Sequence, residues 1–122
     1  MIRIKALDHL VLTVESIERS VDFYSNTLGM RYQGNSLFFG CQKINLHAFP
    51  GEFQPAARVP AEGSADICLL CENTVEELLD ALRDRDVAIE LGPVPRNGAQ
   101  GPMQSIYLRD PDGNLVELAV RC

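Results

Sequence analysis

The side chains with most chemistry to offer in this chain are His9, Asn45, His47, Asp66 and Glu117, each set in or beside an apolar, strand-like run. Asn45 and His47 lie in Ile44-Asn45-Leu46-His47, and Glu117 lies in Val116-Glu117-Leu118. Successive strand residues point to opposite faces, so Ile44, Leu46 and Ala48 share one face and Asn45 and His47 the other. In the same way Val116, Leu118 and Val120 part from Leu115, Glu117 and Ala119. The apolar faces are expected to pack on helices, and the other faces, with His9 and Asp66, to line a concave sheet surface. Both histidines of the chain fall in this set. A lone glutamate in a strand is usually the solvated side of a half-exposed sheet. Glu117 rises above that reading because His, Asp, Asn and Glu converge at matching positions of two internal repeats. Imidazole and carboxylates with open positions are the ligand set of a divalent metal ion that activates a substrate oxygen.

Cysteine offers a second kind of chemistry. Cys68 and Cys71 have the C-x-x-C spacing of a zinc half-site, but they fall in Ile67-Cys68-Leu69-Leu70-Cys71, which reads as a strand. Residues three apart on a strand face opposite ways, so the pair cannot chelate, and both are expected as buried free thiols. With Cys41 and Cys122 they make no disulfide framework.

The elements that must hold these residues repeat. Asp8–Val14 reads as a strand, and Ser16 as the N-cap of a helix over Ile17–Leu28, closed by Gly29. Short strands are expected at Arg31–Gln33, Ser36–Phe39 and Lys43–Phe49. Pro50 to Ser64 holds three prolines and two glycines without periodicity and reads as a linker. The pattern then restarts: a strand at Asp66–Cys71, a helix capped by Thr74 with Glu77 three residues on, and strands at Ala88–Leu91, Ser105–Leu108 and Leu115–Val120. Asp110-Pro111-Asp112-Gly113 marks the turn joining the last two strands. Both halves thus run strand, helix, three strands, with His9 matching Asp66 and Asn45 matching Glu117. The expected organisation is one α+β domain, with module one at about 4–49, a linker at 50–63 and module two at about 64–121.

A chain of 122 residues fits one domain. The net charge of −6 and the lack of a long basic run argue against nucleic acid as a partner. No apolar run approaches the ~20 residues of a membrane span. The start, Met1-Ile2-Arg3-Ile4-Lys5, does not resemble a secretory signal, so a cytoplasmic protein is expected.

Three segments carry a family resemblance: Leu7-Asp8-His9-Leu10-Val11-Leu12-Thr13-Val14, then Asp22-Phe23-Tyr24 with Leu28-Gly29-Met30, and Asp110-Pro111-Asp112-Gly113-Asn114-Leu115-Val116-Glu117. Together they resemble the vicinal-oxygen-chelate superfamily of glyoxalases, bleomycin-resistance proteins and extradiol dioxygenases. Further stretches, among them Lys43–His47, Gly63–Cys68, Gly92–Arg96 and Ser105–Asp110, are similar to the subgroup of glyoxalase domain-containing protein 5 and its bacterial relatives. The resemblance implies two βαβββ modules forming a curved mixed sheet around a cavity.

Carried over by position, it implies metal ligands at His9, Asp66 and Glu117. The glyoxalase I branch has a fourth ligand, Glu, where this chain has Asn45, and a His where it has Asp66. One histidine with two carboxylates is a hard donor set, which favours Mg, Mn or Fe over Ni or Zn. His47 is expected to supply an imidazole or to contact substrate, as is Asn45. Arg96, in the glycine-rich stretch Pro95–Pro102, is expected on a loop that closes over the cavity and holds an anionic substrate group. Tyr107 and Arg109 receive no role. The implied activity is a glyoxalase-like lyase or isomerase on a small substrate with vicinal oxygens, stabilising an enediolate, with Glu117 and His47 as catalytic residues. A metal-free small-molecule or antibiotic-binding protein and an extradiol-type dioxygenase are the alternatives. A homodimer is expected by the same resemblance.

Overall fold

A computed structural model describes all 122 residues. The chain divides into two units, Met1–Glu62 and Gly63–Cys122. Each has one four-stranded mixed sheet, and the strand orders correspond.

In the first unit β1 (His9–Thr13) is followed by α1 (Ile17–Val21), then β2 (Arg31–Gln33), β3 (Ser36–Phe39) and β4 (Gln42–His47). The sheet order is β1-β4-β3-β2, with β1 parallel to β4 and the other pairs antiparallel. Alternation along β4 sorts its residues as the apolar pattern requires. Ile44 and Leu46 are buried with Leu12, Leu37 and Tyr24, while Asn45 and His47 stay half-buried on the other face. Ser16 caps α1 by accepting from the Arg19 N–H at 3.2 Å.

The helix expected through Leu28 is α-helical only to Val21. Asp22–Thr27 winds as a π-helix, and the Leu28 N–H donates five residues back, to the Phe23 carbonyl, at 3.0 Å. The wider turn accompanies burial of both neighbours Phe23 and Tyr24, whose rings meet edge to face at 4.9 Å.

In the second unit β5 (Asp66–Leu70) leads to α2 (Val75–Asp84), then β6 (Leu91–Gly98), β7 (Gly101–Arg109) and β8 (Leu115–Arg121). The order is β5-β8-β7-β6, again with one parallel pair, β5 with β8. The capping box forms as its spacing predicts. Thr74 Oγ1 accepts from the Glu77 N–H at 3.2 Å, and Glu77 Oε1 accepts from the Thr74 N–H at 2.9 Å. Leu78 and Leu82 of α2 are buried, as are Ile106, Leu108, Val116 and Leu118 of the sheet.

The turn after β7 is built on Asp110. Its Oδ1 accepts from the backbone N–H groups of Asp112 and Asn114, both at 2.9 Å, and its Oδ2 from Asn114 Nδ2 at 2.8 Å. Asn114 Oδ1 in turn accepts from the Ala65 N–H at 2.8 Å, which ties the turn to the entry of β5.

The third strand of the second half differs from expectation. Ala88–Glu90 precede the strand, and β6 runs over the stretch expected to be a loop, so Arg96 is a strand residue paired with Met103. Pro93 and Pro95 hid this, because proline in a strand reads as a break. β6 is an edge strand, where a missing N–H costs no central ladder bond. Its register shifts between Leu91 and Val94. There Gly92, at φ +117°, lets the backbone approach β7 so closely that a Cβ would stand 2.5 Å from the Ser105 carbonyl oxygen. No helix is long and apolar enough to cross a membrane.

Candidate functional site

The polar face of each sheet follows from register, since directly paired residues share a face. In the first unit β1 offers His9, Val11 and Thr13, paired with Lys43, Asn45 and His47 of β4. His9, Asn45 and His47 therefore lie on one face. His9 and His47 are four residues apart along the strand pair, roughly 13 Å, so they serve opposite ends of that face.

His9, Asn45 and His47 each have a partner within the unit. His9 Nδ1 meets Asp8 Oδ2 at 2.8 Å. A proton on Nδ1 in that contact leaves Nε2 as a ligand nitrogen, the orientation that metal-binding histidines adopt against a carboxylate. Asn45 Oδ1 accepts from Ser36 Oγ at 2.7 Å. The His47 ring packs edge-on against Phe53, centroids 5.0 Å apart. Towards the outer strands, Arg31 and Lys43 stand over the Phe38 ring at 4.6 and 5.7 Å.

In the second unit Asp66, Cys68 and Leu70 of β5 are paired with Leu115, Glu117 and Ala119 of β8. Asp66 and Glu117 thus share a face, and the residue directly opposite Glu117 on β5 is Cys68. On its other side Glu117 faces Tyr107 of β7. Ser105 Oγ, fully buried, donates to Glu117 Oε2 at 2.6 Å. This bond holds the carboxylate in one orientation, and the Cys68 thiol across the strand pair hydrogen-bonds to the same carboxylate.

These strands line a cleft of about 370 Å³, bounded among others by Cys68, Leu70, Arg96, Met103, Tyr107, Glu117 and Arg121. That volume suits a small ligand. Arg96 Nε donates to the Tyr107 hydroxyl at 2.9 Å and Nη1 to the Pro95 carbonyl at 2.9 Å, with the guanidinium 5.3 Å from the centre of the Tyr107 ring. Arg109, by contrast, is spent on a two-pronged pair with Glu90, both contacts at 2.9 Å, which holds the Glu90 carboxyl below its usual range.

The cysteines expected to be buried are not. Cys68 is exposed and Cys71 half-buried, because β5 is an edge strand whose cleft-side residues, Asp66, Cys68 and Leu70, are all exposed. Cleft walls still screen the Cys68 sulfur from water. That screening, then the charge and hydrogen bond of Glu117, push its thiol up to about 11, so it stays protonated at neutral pH. Burial also pushes the Cys71 thiol up, against an opposing hydrogen bond from the backbone of Ala119.

Sequence reasoning passed over Tyr107, Cys68 and Arg121. The signal for Tyr107 was present: a hairpin closed by Asp110–Asn114 pairs Arg109 with Leu115 and so Tyr107 with Glu117. Cys68 was obscured by its apolar neighbours, and Arg121 by its place at the end of the last strand.

The donors suit a hard divalent cation in kind. Glu117 is a carboxylate held by Ser105, Asp66 is an exposed carboxylate on the same face, and His9 is braced by Asp8.

Comparison with known proteins agrees with the architecture. The chain is 44% identical over 121 residues to the glyoxalase domain-containing protein RDO1 of Mycosarcoma maydis, covering 95% of this chain and 68% of that one. It is 42% identical over 121 residues to the virulence protein STM3117 of Salmonella typhimurium, covering 95% and 84%. Among solved structures, an integron cassette protein from the mobile metagenome of V. cholerae superposes with a TM-score of 0.94 at 43% identity, covering 100% of this chain and 99% of that one. With residues 6–118 matching the profile of the Glyoxalase/Bleomycin resistance protein/Dioxygenase superfamily, the chain belongs to that superfamily.

Proposed function

We propose that the protein is a metal-dependent lyase or isomerase of the glyoxalase type, acting on a small substrate with vicinal oxygens. The observation that carries this reading is the seating of Glu117. A carboxylate fixed by Ser105 and touched by only one weak thiol donor, Cys68, on the wall of a small cleft, is equipped to bind a cation or move a proton. The family pattern assigns His9, Asp66 and Glu117 as ligands, and their hardness favours Mg, Mn or Fe. A divalent ion held by them supplies Lewis-acid polarisation of the substrate oxygens.

The remaining steps belong to the chain. Glu117, or Asp66 beside it, takes a proton from the substrate carbon next to the polarised carbonyl and returns it to the neighbouring carbon. Asn45, with Oδ1 engaged by Ser36, presents its amide N–H groups as donors to a substrate oxygen. His47, braced by Phe53, contacts the substrate at the other end of its face. Arg96, held by Tyr107, contributes to substrate binding. The protein acts in the cytoplasm as a homodimer, as its family resemblance implies.

Proton abstraction can be tested before the physiological substrate is known. Protein loaded with Mn²⁺ is incubated in D₂O with α-hydroxyketones and with thiol adducts of 2-oxoaldehydes, and the α-carbon protons are followed by NMR. Catalysed exchange, abolished by Glu117→Gln, is the expected result. No exchange with any of Mg, Mn, Fe, Ni or Zn, with ligand binding indifferent to chelator, would establish a binding protein instead. Oxygen uptake with catechols would move the assignment to the dioxygenase branch.

A further inference from the structure

We propose that the cleft of the second unit takes a small organic anion, with Arg96 and Arg121 as a two-guanidinium clamp for its oxyanion end. That the occupant is also the substrate rests on the function proposed above; its binding does not.

Three observations carry the assignment. The first is charge. In a chain of net charge −6, the cleft lining carries two guanidiniums against one carboxylate, Glu117. A locally cationic concavity on an acidic protein selects anions. The second is placement. Arg96 of β6 and Arg121 of β8 are both register partners of Met103 on β7, so they flank it in one row across the sheet. Two strand spacings put their Cα atoms roughly 10 Å apart. Two arginine side chains converge easily on one oxyanion across that span.

The third is availability. Arg109, on the same face, is consumed by Glu90, whereas neither Arg96 nor Arg121 is paired with a carboxylate. Arg96 is held in place all the same. Its bonds to the Tyr107 hydroxyl and the Pro95 carbonyl use two of the five guanidinium N–H donors and leave three. A guanidinium fixed before binding loses little entropy on capture, and its planar fork matches carboxylate or phosphonate oxygens. An exposed arginine is ordinarily just solvated; one that is locked, unpaired and beside a second in a cleft is not ordinary.

The other walls define the body of the ligand. Leu70, Ala99 and Met103 are apolar, and the Met103 sulfur lies so near Gly98 that a Cβ there would stand 2.6 Å from it. The occupant is therefore an amphiphile: a compact apolar body ending in one oxyanion.

The test uses hexanoate, hexylphosphonate and uncharged hexanamide as probes, with EDTA present, followed by amide shifts in ¹H–¹⁵N spectra of the full chain. The expected result is saturable shifts around residues 96–98, 103 and 121 for at least one anion and none for hexanamide. A preference between the two anions identifies the headgroup. Arg96→Gln and Arg121→Gln should each weaken binding about tenfold, the scale of one lost charge-assisted hydrogen bond. Tyr107→Phe, which frees Arg96, should weaken it about threefold, and Arg58→Gln, outside the cleft, should leave it unchanged. Glu117→Gln, which removes a metal ligand, should preserve or strengthen anion binding, so loss of the metal reading leaves this one standing. Equal binding of hexanamide, binding indifferent to both cleft arginines, or an equal effect of Arg58→Gln would overturn the proposal.

Discussion

The two halves of the molecule share strand order, connectivity and the register of their parallel pair, yet their polar faces carry different chemistry. Val11 is paired with Asn45 in the first half just as Cys68 is paired with Glu117 in the second. In both, a serine of the neighbouring strand donates its hydroxyl to the polar residue, Ser36 to Asn45 and Ser105 to Glu117. The two bonds are made from different register positions. Ser36 stands directly opposite Asn45, whereas Ser105 lies two residues along β7 from Tyr107, the partner of Glu117. The faces also differ in charge. β1 to β4 of the first half present no carboxylate on the polar face and two cations over Phe38, whereas the second half presents Asp66 and Glu117. One fold unit used twice has become a wall without carboxylates and a wall with two.

Exchanging the two central residues should break this asymmetry most. Glu117→Asn is expected to lower divalent-metal affinity by more than the ~10–100-fold typical of losing a mere outer-shell partner. Asn45→Glu should raise it about tenfold, by restoring the carboxylate that the glyoxalase I pattern has there. Calorimetric titration of metal-stripped protein reads both, and equal effects at the two sites would mean that the halves are not specialised.

The hairpin turns come next. The first half turns between Phe39 and Gln42 through Gly40 and Cys41, whereas the second relies on Asp110 accepting three hydrogen bonds. Asp110→Ala should cost about 3 kcal/mol, because those bonds are lost and the buried Asn114 side chain loses a partner. Cys41→Ala, in the first turn, should cost under ~0.5 kcal/mol. Urea denaturation of both variants makes the comparison.

Much of this was legible in the chain. The repeat, the Ser16 and Thr74 caps, the Asp110 turn and the sorting of Asn45, His47 and Glu117 onto polar faces follow from local rules of strand alternation and side-chain capping. What escaped depends on neighbours in space. The π-helical stretch at Asp22–Thr27 answers to core packing of Phe23 and Tyr24. Strand β6 was masked by Pro93 and Pro95, whose tolerance depends on its being an edge, and edge status is a property of the sheet. Arg96 moved from loop to strand for the same reason, and Cys68 from core to cleft.

Cys68 supplies a smaller, pH-dependent test that has no counterpart at Val11. In metal-free protein its thiol should resist iodoacetamide until the pH nears 11, as read by peptide mass spectrometry. The sign follows from linkage. The folded thiol holds its proton above the ordinary value of 9, so its contribution to stability is intact below pH 9 and is lost as pH rises towards 11. Glu117→Gln removes a charge and an acceptor that favour the protonated thiol, and should bring the reactivity profile to lower pH. A wild-type profile centred at pH 9 would contradict this.

Smallest of all should be Asn45→Ala. Loss of the Ser36 contact is expected to cost about 1 kcal/mol in stability while leaving metal affinity within about threefold.

The most direct test of the central claim is a Mn²⁺ titration of the stripped protein followed by electron paramagnetic resonance, beside His9→Ala and Glu117→Gln. One tightly bound ion per chain, lost in both variants, is the predicted result. Absence of binding, or binding that survives both substitutions, would contradict a metal centre built on these residues.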